Sequence, residues 1–355
     1  MAGKYESKKN WFARHKIITV TLAVILALIL LVVGYIWSKL SLIQYEDGTG
    51  GMQDFSSIWD TFEDEEEVNI SGLEISETLP AIPNAEVARE NEIINILLIG
   101  TDERTQELNV NARSDSMILV SINKDKNTVK LVSLERAMGV PVLEGQYAGE
   151  WDLLTHIFRY GGAELLTKTV EYCFKVEVDH YVRLNFNSVT TAVDAVGGVD
   201  IDLSEAEAWK LSENFDVYLQ PGINHLDGKM ALSFARTRSI DSDWKRVERQ
   251  RKVILAVVER LKGSSLARLN NLLDEVLPLI QTNMTMLEIA DLMLYAPNFM
   301  MSTFDQMTIP KEGTYGAMTG LNGKPLFAVD FEVNNQILYD FLYGDGSTAE
   351  SLPTE

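Results

Sequence analysis

The 355-residue chain has one cysteine, Cys173, so no disulfide within it can staple the fold. That cysteine lies in the run VEYCFKV, with no Ser, His and Asp spacing nearby, and reads as a small buried apolar side chain rather than a nucleophile. There is no internal repeat, which excludes a solenoid or propeller. Cations are few, 31 Lys and Arg against 52 Asp and Glu, giving a net charge of −21. Any local crowding of arginine in such an acidic chain therefore asks for an explanation. Apolar residues are not scarce: they make up 46% of the chain, enough for a large core.

The longest apolar stretch comes first. Residues 17–37, IITVTLAVILALILLVVGYIW, carry no charge. At about 1.5 Å per residue they span roughly 30 Å, the thickness of a bilayer core. Tyr35 and Trp37 mark the far boundary, where amphipathic rings are favoured. The run is too long for the apolar core of a cleaved signal peptide and ends in YIWSKL without a small-residue cleavage site. Lys4, Lys8, Lys9, Arg14 and Lys16 precede it and only Lys39 closely follows. The positive-inside rule then predicts a cytoplasmic tail (1–16), a single transmembrane anchor (17–37) and an external remainder.

Residues 38–91 mix Gly, Pro and Ser with the acidic run Glu63–Glu67 and read as a solvated extracellular linker. The folded domain is expected over 92–343, with 344–355 as a tail. Its first run, IINILLIG, stops at Gly100 and reads as a buried strand. SMILVSI and TVKLVSL are two more strands about the turn NKDKN. GAELLTKTVEYCF has helical spacing, DHYVRLNF alternates like a strand, and NSVTTAVDAVGG is a short helix with Asn187 or Ser188 as cap. VDIDL follows as a strand. A long helix starts at Asp243, then come helical stretches in SLARLNNLLDEVLPLI and TMLEIADLMLY. Strands near FDQMTIP and LFAVDF and a closing helix NNQILYDFLYG complete the chain. Interleaved helices and strands predict an α/β fold, a layered α-β-α sandwich about a central mixed sheet.

The arginines crowd between Ala235 and Val253. Arg236, Arg238, Lys245, Arg246, Arg249, Arg251 and Lys252 face only Asp241, Asp243 and Glu248 there. On the helix from Asp243, the residues Arg246, Arg249, Gln250, Val253, Ile254, Val257, Val258 and Leu261 share one face, with Lys245, Glu248, Lys252 and Glu259 opposite. Two guanidiniums and an amide thus stand at the lip of the core, near the positive end of the helix. Asp243 is expected to cap that helix. The bland alternative is a set of salt bridges to neighbouring acids. Two further stretches weigh against it. Asp102 ends the first strand, Arg113 and Asp115 begin the second, and Arg136 ends the third. Strand ends gather along a rim where sites form. Two carboxylates and several arginines at one rim suit a pyrophosphate with Mg2+. Part of the Leu, Ile and Met in Leu266–Ile280 and Met286–Tyr295 is expected to line an apolar pocket beside the arginines.

The stretches NILLIGTD, ARSDSMILVSI, LVSLER, DAVGGVDIDL and LQPGINHLDGKMALSFARTRSIDSDWKRVERQRKVI, together with the single anchor, resemble the LytR-CpsA-Psr family over residues 92–262. The resemblance implies a phosphotransferase that moves an anionic glycopolymer, such as teichoic acid or capsule, from a polyprenyl-pyrophosphate carrier to peptidoglycan, with Mg2+ and an apolar pocket for the lipid. It implies Asp102 and Asp115 as metal carboxylates, and Arg113, Arg136, Arg236, Arg238 and Arg249 as phosphate ligands. Asp243, Arg246 and Gln250 match further positions of its last motif, and Arg113, Asp115 and Arg136 form the implied catalytic set. The chain departs from the family in two places. It has Glu135-Arg136-Ala137 where the family has Pro-Arg-Asp, and Leu153 and Thr155 where it has Lys and Asn. A second reading is therefore a polyprenyl-pyrophosphate binder that regulates or scaffolds wall assembly without transfer. A transcriptional role conflicts with the topology, because no basic helix faces the cytoplasm and no nucleic acid is met outside it.

Overall fold

In the computed structural model, which describes residue 27 and residues 30–45, 68–103, 112–262 and 264–344, the run after Glu92 is strand β2 (Ile93–Thr101). It is the middle strand of a seven-stranded sheet ordered β1-β10-β7-β2-β3-β4-β11. Strands β3 (Ser114–Asn123) and β4 (Thr128–Leu134) follow antiparallel. Strands β7 (His180–Asn185) and β11 (Thr303–Ile309) pair parallel with β2 and β4. The two-residue strands β1 (Gln44–Tyr45) and β10 (Gln281–Thr282) extend the edge. The sheet is mixed, as the element order predicted.

Successive side chains of a strand point to opposite faces, so an apolar run is buried on both. Leu97, Ile99, Met117, Leu119, Val132 and Leu134 pack with helices α2 (Leu154–Phe174) and α9 (Phe331–Tyr343). Ile96, Ile118, Val120, Val129 and Leu131 face the other way, against Ile254 and Leu255 of α6 (Asp243–Leu261) and Ile289 and Leu292 of α8 (Met286–Met300). Helices therefore cover both faces, the α-β-α layering expected from the sequence. A second core joins the hairpin of β8 (Val199–Leu203) and β9 (Gly222–Leu226) to α3 (Phe186–Ala195), α4 (Glu205–Phe215), α5 (Gly228–Arg236) and Val253 of α6.

The structure shifts several boundaries. Helix α2 begins at Leu154, before the expected stretch, and kinks at Gly161 and Gly162, where the positive φ of Gly162 (66°) admits the bend. The cap of α3 is Asn185, not Asn187 or Ser188. Asn185 accepts from the Ser188 backbone amide at 3.0 Å, and the Ser188 hydroxyl reaches back to the Asn185 amide. The N-cap of α6 is Ser242, and Asp243 is its first helical residue, its carboxylate taken by arginines instead of helix amides.

The expected linker is folded at both ends. Lys39, Leu40 and Ile43 are buried, and β1 joins the sheet edge. Val68, Ile70 and Leu73 pack on the α2 face, and single bridges pair Ile75 with Ala317 and Ala88 with Val176. These segments carry enough apolar side chains to bury, which composition alone had obscured. The acidic run 63–67, the tail 345–355 and most of 17–29 lie outside the described residues. Residues 30–40 form a helix, α1. Among the described residues no helix is long and apolar enough to cross a membrane.

Candidate active site

The site grows from a break in register between β2 and β3. Gly100 pairs with Ser116 but Thr101 pairs with Ser114, so Asp115 is an extra residue in the ladder, a β-bulge. Bulges re-aim side chains, and this one frees Asp115 from the alternation of β3. The close approach needs glycine at 100: a Cβ there would lie 2.9 Å from that of Ser116. Asp102 leaves the end of β2 and holds Arg113 twice, accepting from its amide at 2.9 Å and its Nε at 3.0 Å. Thus Asp102, Arg113 and Asp115 meet at one rim, as the strand-end argument predicted.

Arg136 reaches the same point from beyond the end of β4, with Nη1 3.8 Å from Asp115 Oδ1 and Nε 3.1 Å from Asp243 Oδ2. Arg238, just past α5, stands 3.4 Å from Asp115 Oδ2 and 3.6 Å from Asp243 Oδ1. Arg246, one turn into α6, donates to Asp243 at 3.0 Å. Arg236 ends α5 and lays its guanidinium 4.1 Å over the Phe186 ring. The arginines are therefore held by carboxylates, as the salt-bridge reading of the sequence has it, and still converge on one place.

Arg249 departs from the expectation. Its guanidinium donates to Asp241 at 2.7 Å, to Glu207 at 3.3 Å and to the Thr237 carbonyl at 2.6 Å, and the residue is 1% exposed. It points behind the loop and fixes the path of Thr237–Asp241 that carries Arg238. Its reading as a direct phosphate ligand is replaced by a positioning role. Arg251, which carried no reading of its own, is buried on Ser133 and Thr308 and ties α6 to β4 and β11.

Glu135 was legible only as a departure. Its carboxyl is fully buried, and burial, then the adjacent Asp243 charge, pushes it up to about 8 despite Arg246 and Arg136. It is thus a neutral acid near pH 7, and its retained proton favours the charge on the neighbouring Asp243 carboxylate. Burial opposes the Asp243 charge, but the Glu135 hydrogen bond and the guanidiniums of Arg246, Arg136 and Arg238 prevail and hold it at about 2. Burial also lowers Arg246 to about 10, with Asp243 pulling the other way. Among the described residues, five guanidiniums (Arg113, Arg136, Arg236, Arg238 and Arg246) thus gather about three carboxylates (Asp102, Asp115 and Asp243).

This rim is the mouth of a cavity of about 880 Å³. Asp102, Arg113, Asp115, Arg236, Arg238, Arg246 and Gln250 line its polar end, with Arg136 one contact behind. Its body is apolar, walled by Ile118 and Leu184 of the sheet, Val193 of α3, Leu232 of α5, and Ile254 and Val257 of α6. Of the two stretches expected to line it, the first contributes Val276 and Ile280. The second contributes nothing, because α8 packs on the sheet beneath β3 and β4. Lys210, Asn214 and Lys229 add a further polar edge that no motif announced.

The LytR_cpsA_psr family model matches residues 54–339. The chain belongs to this family. It is 33% identical over 227 residues, 63% of its length and 71% of the relative's, to the polyisoprenyl-teichoic acid–peptidoglycan teichoic acid transferase TagU of Bacillus cereus (strain ATCC 14579). It is 30% identical over 252 residues, 69% of its length and 74% of the relative's, to the transferase TagT of Bacillus subtilis (strain 168). A solved structure of TagT bound to LI-WTA superposes with a TM-score of 0.58 at 25% identity, over 74% of this chain and 96% of that one. The TagT structure with bound octaprenyl pyrophosphate lipid shares the fold at TM-score 0.54 and 24% identity, over 74% of this chain and 96% of that one. The family match reaches well beyond the 92–262 stretch that carried the sequence resemblance, into both flanks.

Proposed function

We propose that this transferase-family protein is a phosphotransferase that moves an anionic glycopolymer from a polyprenyl-pyrophosphate carrier onto peptidoglycan, at the outer face of the cell membrane. The observation that carries the reading is the junction of unlike surfaces: a rim of converging arginines that shares one cavity with a largely apolar wall. A polyprenyl pyrophosphate has that shape, an anionic head on a hydrocarbon chain, and few other metabolites do. Apolar walls keep the chain from water, and guanidinium forks match phosphate oxygens two at a time.

The donor set also fits Mg2+. Asp115 Oδ1 is buried without a hydrogen-bond donor, and Asp102 lies across the same rim. Mg2+ is characteristically held by one or two carboxylates completed by substrate phosphates. Bound there, Mg2+ would offset charge on the phosphoryl oxygens. In transfer, an acceptor hydroxyl of peptidoglycan forms a bond to the phosphorus attached to the glycopolymer, the P–O bond to the polyprenyl phosphate breaks, and the hydroxyl proton is released. Arg136 and Arg238, which face Asp115, neutralise charge gathering on the transferred group and the leaving phosphate. Neutral Glu135 beside Asp243 favours the Asp243 charge, and Asp243 in turn fixes Arg136, Arg238 and Arg246.

The second reading is a binder without transfer. It is favoured by Ala137 and Leu153, both buried in apolar core where the family has an acid and a lysine. The deciding assay combines the purified external domain, a polyprenyl-pyrophosphate glycan donor, a peptidoglycan oligomer and Mg2+, with the product followed by mass. Transfer that disappears in Asp115→Ala supports the ligase. Tight lipid binding without product under any metal supports the binder, and Ala137→Asp then tests whether the lost acid alone is responsible.

A further inference from the structure

The end of the apolar N-terminal run does not lead into a free tether. Tyr35 donates to Asn270 at 2.8 Å, and Lys39 pairs with Asp274, to which Asn270 also donates at 3.0 Å. Both partners lie on α7 (Leu266–Val276). Leu40 and Ile43 bury themselves against Leu273, Leu277 and Ile280. Gln44 then fixes the strand, its amide donating to the Ile280 carbonyl at 3.1 Å and its side chain to the Pro278 carbonyl at 2.8 Å. Two polar pins, an apolar plug and a β-pairing thus lock α1 to α7 within ten residues. On the other side of the same short segment, Val276 and Ile280 line the apolar cavity. Ile280 therefore touches both the plug and the cavity. Meanwhile Leu30, Leu31, Val32, Val33 and Trp37 stay exposed, Trp37 at 64%, uncovered by any of the described residues.

An exposed apolar helix that continues an uncharged run of bilayer length is covered by lipid. Tyr35 and Trp37 then set the headgroup level, and the Tyr35–Asn270 bond carries that level to α7. We propose that α7 lies at the headgroup layer of the outer leaflet, docked to the anchor, and that its partner surface is the bilayer itself. The cavity wall at Val276 and Ile280 then faces the membrane, so the carrier lipid enters beside α7 without its chain crossing water. This rests on the reading of residues 17–37 as an anchor and of the cavity as a lipid site.

The test uses the full-length protein in phosphatidylcholine–phosphatidylglycerol nanodiscs, with one nitroxide on Glu275→Cys or on Glu312→Cys. Glu275 is exposed on α7, and Glu312 is exposed just after β11, at the opposite edge of the sheet. Six strand spacings of about 4.8 Å place the two edges roughly 29 Å apart. Cys173 is buried and stays unlabelled. Relaxation by oxygen and by a water-soluble nickel chelate reads depth. The 275 label should fall within the headgroup layer, roughly 5–7 Å thick on each side of the core, while the 312 label should behave as in water. Asp274→Lys should shift the 275 label toward water, and adding Lys39→Asp should return it. A 275 label as water-exposed as the 312 label overturns the proposal, even where polyprenyl pyrophosphate still binds. Headgroup depth at 275 without any lipid binding supports the placement of α7 and instead defeats the transfer reading.

Discussion

Asp115 and Arg238 divide the work of the site in a way that substitutions can separate. Asp115 leaves one oxygen without a donor, whereas Arg238 bridges Asp115 and Asp243 and faces the cavity. Arg238→Ala should weaken polyprenyl-pyrophosphate binding roughly tenfold to a hundredfold, since a hydrogen bond to a charged group contributes about 1.5–3 kcal/mol. Calorimetric titration of the lipid measures it, and an unchanged affinity would remove Arg238 from the anion site. Asp115→Ala should leave binding within about tenfold yet abolish the proposed Mg2+-dependent transfer, because it removes a proposed metal ligand and not a guanidinium. Glu135 carries a different signature. Its carboxyl is raised from an ordinary 4.5 to about 8 by burial and by Asp243. An acid raised in the folded state lends stability that is complete below its unfolded value and is lost as pH rises through its folded one. The protein should therefore lose stability between about pH 5 and 8. Asp243 adds no slope there, because its value is held low and its own loss comes only as pH falls toward 2. Glu135→Gln, which mimics the neutral acid, should flatten that slope in urea titrations across the window. Equal slopes in both proteins would show that Glu135 is not the titrating group.

At the scale of elements, α6 serves the site twice. Its first turns present Arg246 and Gln250 to the rim, and its next turns present Val253, Ile254 and Val257 to the cavity. Val257→Trp should fill part of the roughly 880 Å³ space. Elsewhere in a packed core such an insertion costs about 1–3 kcal/mol, but an open cavity can take the ring. Binding of a long polyprenyl pyrophosphate should fall at least tenfold while inorganic pyrophosphate binds unchanged; equal loss of both would mean that head and tail do not occupy separate ends. The helical stripe and the strand-end rim were legible in the sequence because 3.6-residue spacing and apolar runs stopped by Gly100 are local signals. The bulge at Asp115 was not, since a register shift belongs to two strands at once. Arg249 sat on the correct stripe but turned to Asp241 and Glu207, a choice made by a loop and by α4, which the stripe cannot contain. The cavity wall was half legible: Val276 and Ile280 line it, but α8, equally apolar, spends its side chains on the sheet. Apolar composition says that a surface is covered, not by what.

Over the whole molecule, charge and topology act together. The chain carries a net −21, yet its cations gather at the rim and in the first sixteen residues. The second cluster is the basis of the proposed orientation, because lysine and arginine before an apolar span favour the cytoplasmic side. In that proposed orientation the rim would face the wall, where the proposed acceptor lies, and the acidic exterior would repel an anionic polymer everywhere except at the arginines. Protease added to intact, wall-stripped cells should therefore degrade the external domain, so that on a denaturing gel only a short N-terminal fragment remains. An antibody to the first sixteen residues and another to the domain, blotted before and after permeabilisation, separate the two orientations. Cleavage that appears only after permeabilisation would place the rim in the cytoplasm, away from peptidoglycan, and the transfer reaction could not then proceed as proposed.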